Sequence, residues 1–394
     1  MKKILSPNLR SIRFLLITHT FATGPPQELR DFFIKNDISF SFLEHPFSYN
    51  HQDKHSKVTL FESGKKVKTI MGPNYGGGDL LHFLLDFLLT FYFVIRSHKR
   101  YDVCIAADNL NAAASVFLKK LGFIRNLIYW TIDYTPNRFG NALLNAVFYN
   151  LDTFSCTQSD LLWNSSKRMN PARAKRGVAI SNCAPEVIVP DGCHFEEIKR
   201  LDSSAVNRFK LVFMGHLVKN KGVDLLITAL PDLLQMFPQV SLTIIGTGPE
   251  ESNLKRVASS LNLDDKVFFT GYIKNHKQLE QTIAGCGVGL SPYVPDPNSY
   301  TFFSDVGKVK VYLACGLPVL ITEVPEIATE IQNNGAGLIF KYDVQSFMAK
   351  VKLLIEDEVR YMEYRRNALY FVENLSWNNV FNEVLNQSIV HFKT

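Results

Sequence analysis

Residues 303–320 carry the densest chemistry in the chain: Ser304 and Asp305, then Lys308 and Lys310, then Cys315-Gly316-Leu317-Pro318. Val309, Tyr312 and Leu313 recur at helical spacing, which predicts a helix from about Val306 with one buried face. Ser304 or Asp305 can cap its start. Gly316 fits the left-handed position just past its end, and Pro318 cannot continue it. Lys308 and Lys310 then fall in the first turns, where the helix dipole is already positive. Two cations set against the dipole point to an anion held between them, and phosphate is the usual guest at such a helix start. A solvated lysine pair on an exposed face is the plainer reading of the same spacing.

Other candidates follow predicted strands. Gly215-His216 comes after a strand at 210–214, Gly246-Thr247-Gly248 after 241–245, Gly271-Tyr272 after 267–270 and Pro292-Tyr293 after 287–291. Lys221-Gly222 opens a helix predicted over 223–236. The Gly-Thr-Gly turn lacks the third glycine of a dinucleotide fingerprint, which argues against a nicotinamide cofactor. In the first half, Asp108 and Asp133 close predicted strands at the edge where open parallel sheets bind ligands. A turn role for Asp133 in Asp-Tyr-Thr-Pro is equally natural. Gly24 and Gly76–Gly78 suit a phosphate-facing loop, and turn geometry alone would also account for them. His19, His45, His51 and His55 have no metal spacing and are expected to make ordinary hydrogen bonds. Six scattered cysteines without a Cys-x-x-Cys pair indicate reduced thiols and no structural zinc.

Strands alternating with helices position these residues and predict an α/β fold with parallel sheets. The first half reads as strand 13–21, helix 26–36, strands 39–43 and 66–70, an apolar helix 80–95, strand 101–108, helix 112–121 and strand 126–133. Residues 44–65 read as a basic loop. A strand and turn are expected over 154–165, with Ser165 capping a helix that holds Lys167 and Arg168. Irregular residues 183–208 mark a linker. The second series ends in two helices that split near Ser376, and a long loop leads up to Ser304.

At 394 residues two domains are expected, and 46% hydrophobic with 20% charged residues is ordinary for a soluble protein. Net charge is +6, but residues 1–176 carry +10 and the rest −4. The first half is therefore expected to meet an acidic partner such as an anionic membrane surface or a lipid phosphate. Nucleic acid ranks last, since no RNA-binding pattern is present. Arg10 and Arg13 interrupt any N-terminal apolar run, so no signal peptide is expected and the setting is read as cytoplasmic, at the inner face of a membrane. Helix 80–95 is about 24 Å long, short of the ~30 Å hydrocarbon core. Its polar residues His82, Asp86 and Thr90 form one stripe, so it is either buried in the first domain or sunk in a membrane surface, with Arg96, Lys99 and Arg100 beside headgroups.

Four stretches of the second half occur in a telling order: Met-Gly-His-Leu with Lys-Gly-Val-Asp-Leu-Leu-Ile, Ile-Ile-Gly-Thr-Gly-Pro-Glu, Val-Phe-Phe-Thr-Gly-Tyr-Ile, and Lys-Val-Lys-Val-Tyr-Leu-Ala-Cys-Gly-Leu-Pro-Val-Leu. Over about residues 210–340 they resemble the donor-binding domain of family-4-type retaining glycosyltransferases of GT-B fold. The resemblance implies two Rossmann-like domains facing across a cleft: an acceptor domain over 1–190, a linker at 191–208, a nucleotide-sugar domain over 209–374, and a terminal helix at 375–394 packing on the first domain. It implies transfer of a sugar from a nucleotide-diphospho-sugar to a glycan or lipid-linked acceptor, with retained configuration and no metal or other cofactor. Lys221 and Lys308 match the family's diphosphate-stabilising cations. Asp133 would join them at the reacting centre, while Gly24 and Asp108 would serve an acceptor or phosphate loop. Gly215, His216, Gly246, Gly271, Tyr272, Tyr293, Ser304 and Asp305 complete the implied donor site. Two departures stand out: His216 replaces a common arginine, and the positions of two glutamates fall on Phe303 and Val311. A non-catalytic sugar-nucleotide-binding scaffold and a sugar-nucleotide epimerase of the same fold are therefore the alternatives.

Overall fold

The structure is a computed structural model that describes residues 7–20, 24–47, 55–74 and 79–393. Two compact units divide the chain, one of residues 1–190 with 377–394 and one of 191–376. Residues 191–208, read as a linker from the sequence, belong to the second unit.

The first unit runs β1 (Phe14–Thr20), α1 (Pro25–Lys35), β2 (Phe40–Pro46), β3 (His55–Glu62), β4 (Lys65–Asn74), α2 (Asp79–Arg96), β5 (Tyr101–Ala107), α3 (Asn109–Lys120), β6 (Ile124–Thr131), α4 (Ala142–Gln158), β7 (Leu161–Asn164), α5 (Met169–Lys175) and β8 (Glu186–Ile188). Its eight strands lie in the order β4-β3-β2-β1-β5-β6-β7-β8. β2, β3 and β4 pair antiparallel and the others parallel. The strand order reverses between β1 and β5, which makes the C-terminal ends of those two strands the natural ligand crevice.

Several elements differ from the sequence reading. Residues 55–62, expected as loop, form β3, and Ser63 and Gly64 at positive φ make the two-residue hairpin turn to β4. Residues 154–158 end a helix and not a strand: Asn141 caps α4 by accepting from the Leu143 and Leu144 amides at 2.9 and 3.2 Å. Ser165 caps nothing; its hydroxyl donates to the Ile132 carbonyl at 2.7 Å, and α5 starts four residues later.

The second unit runs β9 (Lys210–Met214), α6 (Val223–Met236), β10 (Ser241–Ile245), α7 (Glu251–Ser260), β11 (Val267–Gly271), α8 (His276–Ala284), β12 (Val288–Ser291), α9 (Tyr300–Phe303), α10 (Gly307–Ala314), β13 (Val319–Thr322), α11 (Ile327–Asn333), β14 (Gly337–Phe340), α12 (Val344–Ile355) and α13 (Glu358–Glu373). All six strands are parallel, in the order β11-β10-β9-β12-β13-β14, with the reversal between β9 and β12. Leu211 and Phe213 of β9 face one core and Val212 the other, as expected of a strand covered on both faces. The long loop before Ser304 contains α9, capped by Ser299. Three helices follow β14 where two were expected, and the last, α14 (Trp377–His391), returns to the first unit. There Phe381 lies 5.6 Å from Phe32, and the Trp163 indole donates to Ser388 Oγ at 2.9 Å.

Gly246 shows how tightly the second unit's loops are drawn together. Its φ is +131°, and a Cβ there would stand 1.9 Å from the Gly215 carbonyl oxygen. Gly246→Ala should therefore lower stability by at least about 1–3 kcal/mol, the scale of backbone strain alone, read as a lower melting temperature.

Candidate active site

In the second unit the site forms where β9, β10 and β12 end. The Gly215 amide donates to Ile245 O at 2.9 Å, Leu217 N to Thr247 O at 3.0 Å, and Gly246 N to Gly271 O at 2.9 Å, so three loops are stitched backbone to backbone. Gly222 has φ +65°, and a Cβ on it would lie 2.0 Å from the Pro292 carbonyl. That close approach holds Lys221 inward. Lys221 is buried, donates to Thr301 Oγ1 at 3.4 Å, and lies over the rings of Tyr293 and Tyr300 at 4.7 and 4.8 Å. The Lys308 side chain runs along the surface, but its amino group turns back to Gly215, where a Cβ would meet it at 3.5 Å. Desolvation there and the positive charge of Lys221 lower the Lys308 pKa. Two repelling cations beside closely packed glycine turns favour an anionic guest that relieves the repulsion.

Lys310 does not share that guest. It is fully buried and bonds the Asp305 carboxylate and the Asp191 carbonyl oxygen. Nor does Ser304 or Asp305 cap α10: the N-cap is Val306, and the Asp191 carboxylate accepts from the Gly307 amide at 3.2 Å. Asp305 is engaged at both oxygens, accepting from the Val306 amide and, with Lys310, from the Asp191 amide at 2.8 Å. The anion expected at this helix start is thus a pair of the protein's own carboxylates. Ser304 and Tyr293 are buried beside these groups, whereas His216 and Tyr272 are exposed on the loops after β9 and β11.

In the first unit a cavity of 760 Å³ opens at the β1/β5 reversal. Gly24, Asp108 and Asp133, three residues singled out in the sequence, line it together. Its other walls are mostly apolar and include Phe47, Phe83, Phe87, Phe139 and Phe148, with Arg138 as a cation. Gly24 has extended backbone and room for a Cβ, so nothing steric requires glycine there. Gly76–Gly78 lie outside the described residues.

His19, expected from its spacing to make only ordinary hydrogen bonds, is the polar centre of this cavity. Its Nδ1 lies 2.6 Å from Asp108 Oδ2 and its Nε2 3.1 Å from Asp86 Oδ2. Both ring nitrogens face carboxylates, so both carry protons. Burial alone would lower the His19 pKa, but Asp108 and Asp86 outweigh it and carry it up to about 10. Burial likewise opposes the Asp86 charge, yet hydrogen bonds from His19 and His45 hold its carboxyl well below the usual range. His45 is pushed down by burial and binds Ser56 Oγ at 2.8 Å and Thr90 Oγ1 at 2.9 Å. Asp108 sits at φ +75°, ψ 163°, a conformation costly for a residue with a Cβ, and is fixed there by His19 and by the Asn111 amide at 3.0 Å. Beneath lies a second buried pair: Arg173 donates to both oxygens of Asp152, at 3.0 and 2.9 Å. A sequence signal for His19 existed, since it stands next to the end of β1, at the switch point.

Residues 208–357 match the family described as Glycosyl transferases group 1. Among relatives, the uncharacterized glycosyltransferase YqgM of Bacillus subtilis is 23% identical over 250 residues, covering 63% of this chain and 66% of that protein. The gpi3 component of the Schizosaccharomyces pombe phosphatidylinositol N-acetylglucosaminyltransferase is 29% identical over 154 residues, 38% of this chain and 32% of that one. An uncharacterized glycosyltransferase of Haemophilus influenzae is 28% identical over 142 residues, 36% and 37% of the two chains. The matches thus span less than two thirds of these relatives' lengths. Sucrose-phosphate synthase from Thermosynechococcus elongatus superposes with a TM-score of 0.70 at 15% identity, covering 97% of this chain and 99% of that one. Anabaena HepE, solved with UDP, gives 0.69 at 16% identity over 96% and 99%. The pneumococcal O-GlcNAc transferase GtfA, solved with UDP and GlcNAc, gives 0.67 at 13% over 97% and 99%. The fold is that of the GT-B glycosyltransferases, and the segment similar to the group 1 family holds Lys221, Lys308 and their glycine turns.

The His19 cluster also dictates how stability varies with pH. A histidine whose pKa is raised on folding adds stability in full below its unfolded value, about 6.5, and loses it as pH climbs through about 10. Asp86, held low, adds stability that is lost as pH falls below about 4. Melting temperature should therefore decline steadily from about pH 6.5 towards pH 10, and His19→Gln should flatten that slope. An unchanged alkaline slope in the variant would show that His19 is not the titrating group.

Proposed function

We propose that the chain is a metal-independent retaining glycosyltransferase that moves a sugar from a nucleotide-diphospho-sugar to a lipid-linked or glycan acceptor. The observation that carries this reading is the Lys221–Lys308 pair set among Gly215, Gly246 and Gly222 at the β9/β12 reversal. In the transfer, the bond from the sugar's anomeric carbon to the diphosphate oxygen breaks, and its electron pair leaves with the diphosphate. Lys221 and Lys308 then stabilise charge as it develops on that leaving group. The acceptor hydroxyl bonds to the anomeric carbon on the face being vacated, and its proton passes to the departing phosphate oxygen. HepE and GtfA, solved with UDP, support a nucleotide-diphosphate donor. Asp108 and Asp133 would orient the acceptor hydroxyl in the first unit's cavity, whose aromatic walls suit an acceptor with an apolar part.

Phe303 is buried, and with Val311 it stands where the resemblance places two carboxylates. That departure is the one observation favouring a scaffold that binds a sugar nucleotide without turning it over. Donor consumption with release of free sugar or glycosylated product separates the readings, and a free sugar nucleotide of altered configuration would mark an epimerase. Lys221→Ala and Lys308→Ala should each cut donor turnover by about 10²–10³, the scale of losing one transition-state donor. Wild-type turnover in Lys308→Ala would remove the basis of the proposal. Turnover should persist in excess chelator, and a requirement for Mn²⁺ or Mg²⁺ would overturn the metal-independent part.

A further inference from the structure

Helix α2 is built inside out. His82, Asp86 and Thr90 are 5%, 0% and 0% exposed, while Leu81, Leu84, Leu88, Tyr92 and Ile95 are about half exposed, at 49, 55, 54, 46 and 49%. The exposed set follows the spacing 3, 4, 4, 3, so it forms one straight apolar ridge along the helix. Leu84 also lines the apolar cavity of the first unit. At the C-terminal end of the ridge, Arg96 and His98 meet Lys68, Ile70 and Met71 of β4 in a second, basic recess of 410 Å³. β4 is the edge strand of its sheet, and Lys65, Lys66 and Lys68 are exposed along it, as are Val67 and Met71.

We propose that the α2 ridge and the basic edge formed by Lys68, Arg96 and their neighbours dock on an anionic bilayer surface. The inference does not rest on the activity proposed above. An apolar strip flanked by cations matches the boundary between acyl chains and negative headgroups. No helix among the described residues is long and apolar enough to cross a membrane, so α2 would lie along the surface. A second copy of the chain is the poorer occupant, because lysines on an edge strand oppose strand addition and would meet like charge. Docking here places the mouth of the apolar cavity, through Leu84, beside the lipid phase.

The test is flotation of the purified full chain with vesicles of phosphatidylcholine, alone or with an equal share of phosphatidylglycerol. The protein should rise with the anionic vesicles in low salt and stay down with the neutral ones. Lys68→Ala/Arg96→Ala should reduce the vesicle partition constant about thirtyfold, at about 1 kcal/mol for each basic residue near the surface. Leu88→Glu/Tyr92→Glu should abolish flotation. Both residues lie outside the cavity, and a cooperative melt would show that the variant is folded. If that variant is unfolded, Leu88→Ser/Tyr92→Ser takes its place with the same expectation. Wild type that fails to float, that floats equally on neutral vesicles, or that matches a folded ridge variant overturns the proposal. So does a dimer, seen by sedimentation, that the ridge variant dissolves.

Discussion

A single fully buried carboxylate, Asp86, sets the arrangement of the first unit. A charge without water must be paired, and breaking such a pair costs about 3–5 kcal/mol. His19 from β1, His45 from β2 and Ser56 from β3 converge on it, so three adjacent strands and one helix are bound to a common point. With about 100° of turn per residue, bringing His82, Asp86 and Thr90 inward drives Leu81, Leu84 and Leu88 outward. The apolar surface of α2 is thus a consequence of the polar cluster beneath it. Through His19 the same cluster fixes Asp108, and with it one wall of the cavity.

The second unit solves a related problem differently. The start of α10 presents free amides and a favourable site for negative charge. Asp191 and Asp305 fill that position, and Lys310 pairs with the Asp305 carboxylate and the Asp191 carbonyl from within the helix. The lysine two residues earlier is left on the other side, where the glycine turns after β9 and β10 let backbone and amino group approach closely. Neighbouring lysines in one helical turn therefore have separate jobs, one internal and one directed at a guest.

The fold was largely legible because glycine turns and apolar runs repeat with little ambiguity: the sequence expectations for β9, α6 and β10 match their observed bounds residue for residue. What escaped notice had weak local signals. β3 carries His55, Lys57 and a polar surround that read as loop, and only its pairing between β2 and β4 gives it a buried face. The helical character of residues 154–158 depends on a cap thirteen residues upstream at Asn141. For the site, the strand-end rule led to Asp108 and Asp133, and glycine turns led to Lys221. His19 and Asp86 were missed because their partnership spans 67 positions, and no local spacing announces it. Lys310 was misassigned for a similar reason, since the carbonyl it binds belongs to Asp191, 119 positions away.

The path of α14 bears on how the molecule is made. Val380, Phe381, Val384 and Leu385 cover a face of the first unit that includes Phe32, Trp130 and Trp163. Between β8 and α14, residues 191–376 make up the second unit, which is continuous in sequence. At about 5–20 residues per second, a growing chain would leave that aromatic face uncovered for on the order of ten to forty seconds while the intervening unit is synthesised. The second unit can finish folding in that interval, and the first cannot. Such a nascent chain is exposed to chaperone capture or to association through Trp130 and Trp163 until its last helix emerges, so the unit begun first is completed last.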